Sequence, residues 1–345
     1  MAEKLAVVLF NLGGPDSPEA VKPFLFNLFN DPAIISVPTP LRWMIAKLIS
    51  SRRAPIAREI YGHIGGKSPL LEQTHDQAAA IAAGLTEKGF EALVVPAMRY
   101  WHPFATEAAQ AVAAFQPDKI VALPLYPQFS TTTSGSSLKQ WREVLAKTSI
   151  TAPSLEVGCW PVLDGWCEAV AGLIRQSLPE AEEDDPQPRL LFSAHGLPKK
   201  VIDAGDPYQH QVERSVAKVL EILGPIPVEP VVCYQSKVGP LEWIGPATED
   251  EIKRAGADGR PVIVVPIAFV SEHSETLVEL DIEYRELAEE AKVPWYRRVP
   301  TAQTHPRFIS ALVEVIGTRL ERSGECITVG ADRVCQSSHT KCPCR

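Results

Sequence analysis

The sequence predicts an α/β protein whose parallel sheets are covered by helices on both faces. Three observations carry that prediction. Short apolar runs alternate with longer segments of helical periodicity along nearly all of the 345 residues. Several runs are apolar at every position, as in Ile120-Val-Ala-Leu-Pro-Leu125 and Val262-Ile-Val-Val-Pro-Ile267, which is the pattern of strands buried on both faces. A composition of 45% hydrophobic and 22% charged residues is globular and excludes disorder, collagen and a disulfide miniprotein.

The strands are expected at 5–12, 92–98, 120–126, 154–160, 190–194, 229–234 and 261–269. Prolines inside some of these runs are expected at strand ends, because proline cannot donate to a ladder. Helices are expected over 72–89, 103–115, 136–147, 162–178, 207–223, 273–291 and 306–322. Alternation of this kind builds parallel sheets through crossover helices. The pattern breaks at Thr148-Ser-Ile-Thr-Ala-Pro153, so a boundary between two domains is expected near 148–155. Residues 179–188 read Pro-Glu-Ala-Glu-Glu-Asp-Asp-Pro-Gln-Pro, a solvated loop of repelling carboxylates and prolines.

Segment 20–55 differs from the rest. Phe24, Leu25, Phe26, Leu28 and Phe29 are followed by prolines at 32, 38, 40 and 55. Leu41, Met44, Ile45, Leu48 and Ile49 then keep helical spacing among Arg42, Lys47, Arg52 and Arg53. Either this is a helix packed on the core, or it is an apolar lip over a large hydrophobic ligand that also touches a membrane.

Lys and Arg total 34 against 42 Asp and Glu, a net charge of −8. Such a chain lacks the electrostatic footprint of a general nucleic-acid binder. No apolar run reaches the ~18 residues of a spanning helix. Leu5-Ala-Val-Val-Leu-Phe10 reads as a first buried strand and not as a signal peptide, so a cytoplasmic protein is expected.

Five segments can carry chemistry. In Phe192-Ser-Ala-His195-Gly-Leu-Pro198 a histidine ends a strand, where open α/β sheets bind their ligands. With an ordinary pKa of about 6.5 it suits proton transfer or metal contact; the alternative is a histidine bonded to a loop carbonyl. Beyond the last long strand, Glu275, Glu279 and Glu283 recur at helical spacing and fall on one stripe without relieving lysines. That stripe is either a solvated acidic face or a hydrated path for a cation or proton. Asp281 lies off the stripe and is expected in solvent. Tyr126-Pro-Gln-Phe-Ser130, with the hydroxyls that follow, and Met98-Arg-Tyr-Trp101 each follow a strand. They offer backbone N–H groups, hydroxyls and a cation to an anionic group.

The fifth segment is the tail. Of seven cysteines, Cys159, Cys167 and Cys233 are scattered, while Cys326, Cys335, Cys342 and Cys344 crowd the end. In a cytosolic chain this suggests thiolates for zinc or an iron–sulfur cluster more than disulfides. The residues Thr328-Val-Gly-Ala-Asp332 do not read as deep core. Only three of the thiols are very close in sequence, so a fourth ligand must be Cys326 or come from the body.

Taken together these segments resemble the ferrochelatase family, whose members insert ferrous iron into a porphyrin to complete haem. The likeness runs from Asn11-Leu-Gly-Gly-Pro15 through Tyr61-Gly-His-Ile-Gly-Gly-Lys-Ser-Pro69, Met98-Arg-Tyr100, Tyr126-Pro-Gln128, Phe192-Ser-Ala-His195 and Cys233-Tyr-Gln-Ser-Lys-Val-Gly-Pro240 to Pro266-Ile-Ala-Phe269 and the Glu275 helix. It spans at least 8–325, in order.

The resemblance implies two Rossmann-like domains with four-stranded parallel sheets and a porphyrin cleft between them. Residues 1–152 would form the first domain with its lip, 153–310 the catalytic domain, and 311–345 a helix and cluster-bearing tail. His195 and Glu275 become the catalytic pair, and with Glu279 and Glu283 they mark the path of the ferrous iron substrate. Tyr61, Met98, Arg99, Tyr126, Ser130, Trp243, Phe269 and His273 would line the porphyrin site. Microbial relatives with a [2Fe–2S] cluster imply Cys159, Cys335, Cys342 and Cys344 as its ligands, with Cys326 competing for the place of Cys159. The position matching the animal cluster ligand holds Thr131.

The implied activity makes protohaem from protoporphyrin IX. A chelatase for coproporphyrin or for another metal, and a porphyrin or haem carrier without chemistry, are the rival readings. An iron–sulfur redox or sensor protein is a third. Peripheral membrane contact through 20–55 and a homodimer are both compatible with the resemblance.

Overall fold

The structure, a computed structural model, describes residues 2–178, 186–322, 324, 326–329 and 334–344. Most of the acidic stretch 179–188 therefore lies outside the described residues. The chain divides into two units: 1–159 with 312–329 and 344, and 160–311 with 330–343 and 345. The division passes through a single helix, α11 (Pro306–Glu321).

The first unit is built on a parallel sheet of β1 (Lys4–Asn11), β2 (Glu91–Met98), β3 (Lys119–Pro124), β4 (Ser154–Cys159) and β9 (Cys326–Thr328), in the order β2-β1-β3-β4-β9. The implied four strands are thus five. The fifth comes from the tail, where Thr328 and Val329 are buried against the expectation of a shallow segment. Glu156 pairs with Cys326 and Cys159 with Thr328. The buried Arg319 guanidinium donates to the carbonyls of Glu156, Arg322 and Gly324, which closes the end of α11 and directs the chain to β9.

Every residue from Leu5 to Leu9 is fully buried because helices cover both faces. Ala6, Val8 and Phe10 pack with α4 (Ala105–Phe115) and α5 (Ser134–Leu145) through Val112, Leu138 and Trp141. On burial each such aliphatic side chain contributes about 1.5–3 kcal/mol. Prolines sit where a missing N–H does least harm. Pro124 ends β3, and Pro96 lies in the edge strand β2.

The second unit's sheet comprises β5 (Arg189–His195), β6 (Glu229–Gln235), β7 (Val262–Pro266) and β8 (Tyr296–Arg298), in the parallel order β6-β5-β7-β8. Helices α6 (Asp164–Ser177) and α8 (Tyr208–Leu223) pack against each other. Helix α9 (Thr248–Ala257) covers Leu191, Cys233 and Val264 with Ile252 and Ala255. The helix expected over 273–291 is two pieces: a π-helix, Glu275–Glu283, and then α10, Tyr284–Glu290. The Tyr284 N–H reaches back to the Glu279 carbonyl, the i→i+5 bond of the wider turn.

Segment 20–55 forms α1 (Val21–Phe29) and most of α2 (Thr39–Gly62), which pack on each other. Pro38 and Pro40 sit at the start of α2, while Pro55 is inside it. Small residues Ala46, Ser50 and Ala54 face inward, and Leu41, Trp43, Met44, Leu48 and Ile56 are exposed.

Candidate active site

In the second unit the carboxyl ends of the strands gather the charged candidates. His195 closes β5 and is followed by Gly196, where a Cβ would lie 3.0 Å from the Gln235 carbonyl and 3.1 Å from the Trp243 ring. A side chain here would have to push both aside by a few tenths of an ångström. Tyr208 Oη donates to the His195 carbonyl at 3.0 Å. His195 Nδ1 lies 3.2 Å from Glu275 Oε2, and His273 Nε2 lies 3.6 Å from the same oxygen. One carboxylate oxygen therefore faces two imidazoles. The Phe269 ring stands 4.6 Å from that of His273. Among the described residues, His273 Nδ1 and Trp243 Nε1 are buried without a hydrogen-bond partner. A buried donor in that state costs about 1–3 kcal/mol, so both are atoms that a ligand can pair with.

Glu279 is held by donors that its spacing could not reveal. It accepts from Gln235 Nε2 (2.9 Å), Ser236 N (2.9 Å), Ser236 Oγ (2.6 Å) and Tyr284 Oη (3.2 Å). Ser236 adopts φ +64°, a left-handed conformation rare outside glycine, and both its N–H and its hydroxyl donate to the carboxylate. Glu283 is exposed and lines an open surface depression with Glu249, Lys253, Glu286 and Glu290.

These surroundings set the protonation states. Burial alone would lower the His195 pKa, but Glu275, and then Glu279, raise it above the ordinary 6.5. Burial alone would raise the Glu275 carboxyl, but His195 and then His273 hold it well below the usual carboxylate range. Glu279 is pushed above 4.5 by burial and by the Glu275 charge, despite its donors. Neighbouring carboxylates driven apart in this way divide the roles of fixed charge and proton holder.

Asp281 is not left to solvent. Its carboxylate takes both Nε and Nη2 of Arg298, at 2.8 and 2.7 Å.

In the first unit, Asn11, Met98 and Tyr126 likewise stand at the carboxyl ends of β1, β2 and β3. Gly13, at φ +84°, lies where a Cβ would come within 3.0 Å of Met98 Cβ. Arg99 does not present an unmatched charge. Its guanidinium meets the buried Asp31 carboxylate at 2.7 Å, and Tyr100 Oη donates to the same oxygen at 2.8 Å. Tyr61 is buried in a cluster with Val21, Phe24, Ala54 and Tyr100. Ser130 is buried, 2.9 Å from Thr132 Oγ1, and accepts the Thr132 N–H.

The expected cluster ligands are divided between the two units. Cys159 and Cys344 belong to the first unit, Cys335 and Cys342 to the second. Cys159 Sγ lies 3.5 Å from Thr328 Oγ1, and Cys335 Sγ accepts from Gln211 Nε2 at 3.1 Å. Cys344 Sγ lies 3.7 Å from the Sγ of the competitor Cys326. Among the described residues no three His, Cys, Asp or Glu side chains form a metal-holding group. The chain supplies the thiols that a [2Fe–2S] centre needs.

Sequence reasoning missed Asp31, Tyr208, Tyr284 and Arg298. Gln235 and Ser236 stand inside a motif that it singled out, yet only the fold shows that they serve Glu279.

A paired imidazole and carboxylate at the carboxyl edge of a parallel sheet defines an α/β enzyme equipped to move protons or meet a metal. SirB from Bacillus subtilis, solved with Fe3+, shares the architecture: TM-score 0.53 at 14% identity, covering 92% of this chain and 95% of that one. At that identity the likeness shows the fold alone. The sequence goes further. The ferrochelatase family model matches residues 4–320. The ferrochelatase of Caulobacter vibrioides (strain NA1000 / CB15N) is 52% identical over 347 aligned positions, covering 100% of this chain and 99% of that protein. That of Phenylobacterium zucineum (strain HLK1) is 52% identical over 344, covering 99% and 98%. The chain belongs to the ferrochelatase family and is an enzyme of the lyase class.

Proposed function

We propose that this protein inserts ferrous iron into protoporphyrin IX to form protohaem, with His195 and Glu275 at the reacting centre. The observation that carries this reading is the single Glu275 oxygen facing both His195 and His273, at the head of an acidic π-helix. Membership of the ferrochelatase family supports it.

Insertion exchanges two pyrrole protons for one divalent cation. His195 Nδ1 lies beside Glu275, and Nε2 is the nitrogen assigned to take a pyrrole proton. Glu275 stays ionised and stabilises the imidazolium. Glu279, with its raised pKa, receives protons from the centre, and the exposed Glu283 exchanges them with solvent. The same carboxylates, read inward, guide the iron. Phe269, His273 and Trp243 are the second unit's surface for the ring; Tyr61, Met98, Arg99, Tyr126 and Ser130 are the first unit's. Apolar walls hold a large flat ligand by burying its faces. With its charge met by Asp31, Arg99 acts on a propionate only together with the neighbouring hydroxyls.

The exposed apolar residues of α2, flanked by Lys47, Arg52 and Arg53, are proposed as the lip and as a contact with a lipid surface. No described helix is long and apolar enough to cross a membrane. A [2Fe–2S] cluster on Cys159, Cys335, Cys342 and Cys344 is supported by the number and spacing of thiols alone, and no step of the reaction runs through it.

The test is anaerobic incubation with ferrous iron and protoporphyrin IX, followed by the appearance of haem absorption. Porphyrin that binds without ever being metallated would make the protein a carrier. Preferred metallation of coproporphyrin, or with cobalt over iron, would change the substrate and keep the chemistry.

A further inference from the structure

We propose that Arg298 is a positioning residue that fastens the loop before the π-helix to the middle of that helix, and so sets where Glu275 stands against His195. The guanidinium sits at the end of the short edge strand β8. Its Nε and Nη2 bind the two oxygens of Asp281 at 2.8 and 2.7 Å. Its Nη1 binds the two oxygens of Glu272 at 2.9 and 3.0 Å. Glu272 is buried and also accepts the Thr301 N–H at 2.9 Å. At the other end of β8, Tyr296 Oη donates to the Leu280 carbonyl at 2.7 Å.

One three-residue strand therefore holds positions 272, 280 and 281. His273, Glu275 and Glu279 all lie between the fixed points. Among the described residues Arg298 bonds to Glu272, Asp281 and the Val299 carbonyl, and to none of those three.

The need for such a fastening follows from the helix type. A π-turn is rare and accommodates one more residue per hydrogen-bonded loop than an α-turn. If it relaxed to α winding, every residue on one side of the change would rotate relative to the other. With Glu272 and Asp281 held by the same planar group, that rotation has nowhere to go. Only a guanidinium can do this, since its fork meets two carboxylates edge-on at fixed angles. An ammonium is a point charge and fixes no angle.

The inference rests on the iron-insertion reading only for its kinetic readout. The variants are Asp281→Asn, Arg298→Lys and the conservative Asp281→Glu, in the full chain. Asp281 is the partner to remove first because its side chain is the more exposed of the two carboxylates and the remaining Arg298 charge keeps Glu272 as its counter-charge. Amide hydrogen exchange over Glu275–Glu283 should quicken in the first two variants. The kcat per folded molecule should fall about 10-fold to 100-fold, while porphyrin affinity by fluorescence quenching stays at the wild-type value. Asp281→Glu should restore most of the kcat.

Unchanged exchange and kcat in both variants would overturn the proposal. So would a lower Tm with kcat per folded molecule intact, which is the signature of a merely structural ion pair. A wild-type protein that makes no haem would refute the reaction instead, and the exchange measurement would still decide the role of Arg298.

Discussion

The two units break the ordinary rules of burial in opposite senses. In the first, α2 turns Ala46, Ser50 and Ala54 inward and leaves Met44, Leu48 and Ile56 at 63%, 52% and 60% exposure. In the second, the π-helix buries Val278 and Leu280 as usual but surrounds Glu279 with donors and sets Glu275 against two imidazoles. Large apolar side chains in water suit a surface that meets an apolar partner. Carboxylates drawn inward are tolerable only with donors or cations at hand. In the proposed reading the apolar lip belongs to the first unit, and the proton and ion traffic to the second.

The largest effect expected from breaking this contrast is at His195. His195→Ala should reduce iron insertion by about 10²-fold to 10⁴-fold, with Tm and porphyrin affinity unchanged. Turnover near the wild-type value would remove the imidazole from the chemistry.

Glu275→Gln should cost nearly as much, and it offers a measurement without iron. Burial lowers the His195 pKa, whereas Glu275 is the main group raising it. Without that carboxylate, NMR titration should show the imidazole losing its proton below 6.5, where the wild type still holds one. An unmoved titration would mean that the two side chains do not share a charge. The linked stability has the same sign. The contribution of the pair is fully present between 4.5 and 6.5, fading as pH climbs through the raised His195 value and as it falls toward the lowered Glu275 value.

A smaller effect is expected from the first unit. Met44→Ser with Leu48→Ser should raise the porphyrin KM about fivefold, roughly 1 kcal/mol of apolar contact, with kcat and Tm held. A fall in Tm would instead show that this face is packed in solution.

The least effect on chemistry is expected at the thiols. Cys159→Ser should lose iron and acid-labile sulfide together, and Cys326→Ser should keep them. The reverse result would exchange the ligands, and protein with zinc but no sulfide would end the cluster idea.

Much of the sheet framework was legible because β1, β3, β5 and β7 are apolar at nearly every position. His195 was legible for the same reason, as the first polar ring after such a run. The strands β8 and β9 were not, since three residues carry no periodicity. The π-turn was hidden because residues four apart stay on one side in either winding. Partner choice was hidden most of all. Nothing near Arg99 announces Asp31, and nothing near Arg298 announces Glu272 and Asp281, because these pairs are made by chain segments that meet only in the fold.

The fifth strand has a consequence for synthesis. The sheet of the second unit is complete once Arg298 has emerged from the ribosome, whereas the first sheet waits for Cys326–Thr328. Helix α11 also brings Val313 against Gly84, where a Cβ would come within 2.9 Å of it. The half translated first is therefore the half finished last. Until Cys326–Thr328 is made, the nascent chain holds β4 as an open edge, the kind of surface that invites pairing with a neighbouring nascent chain.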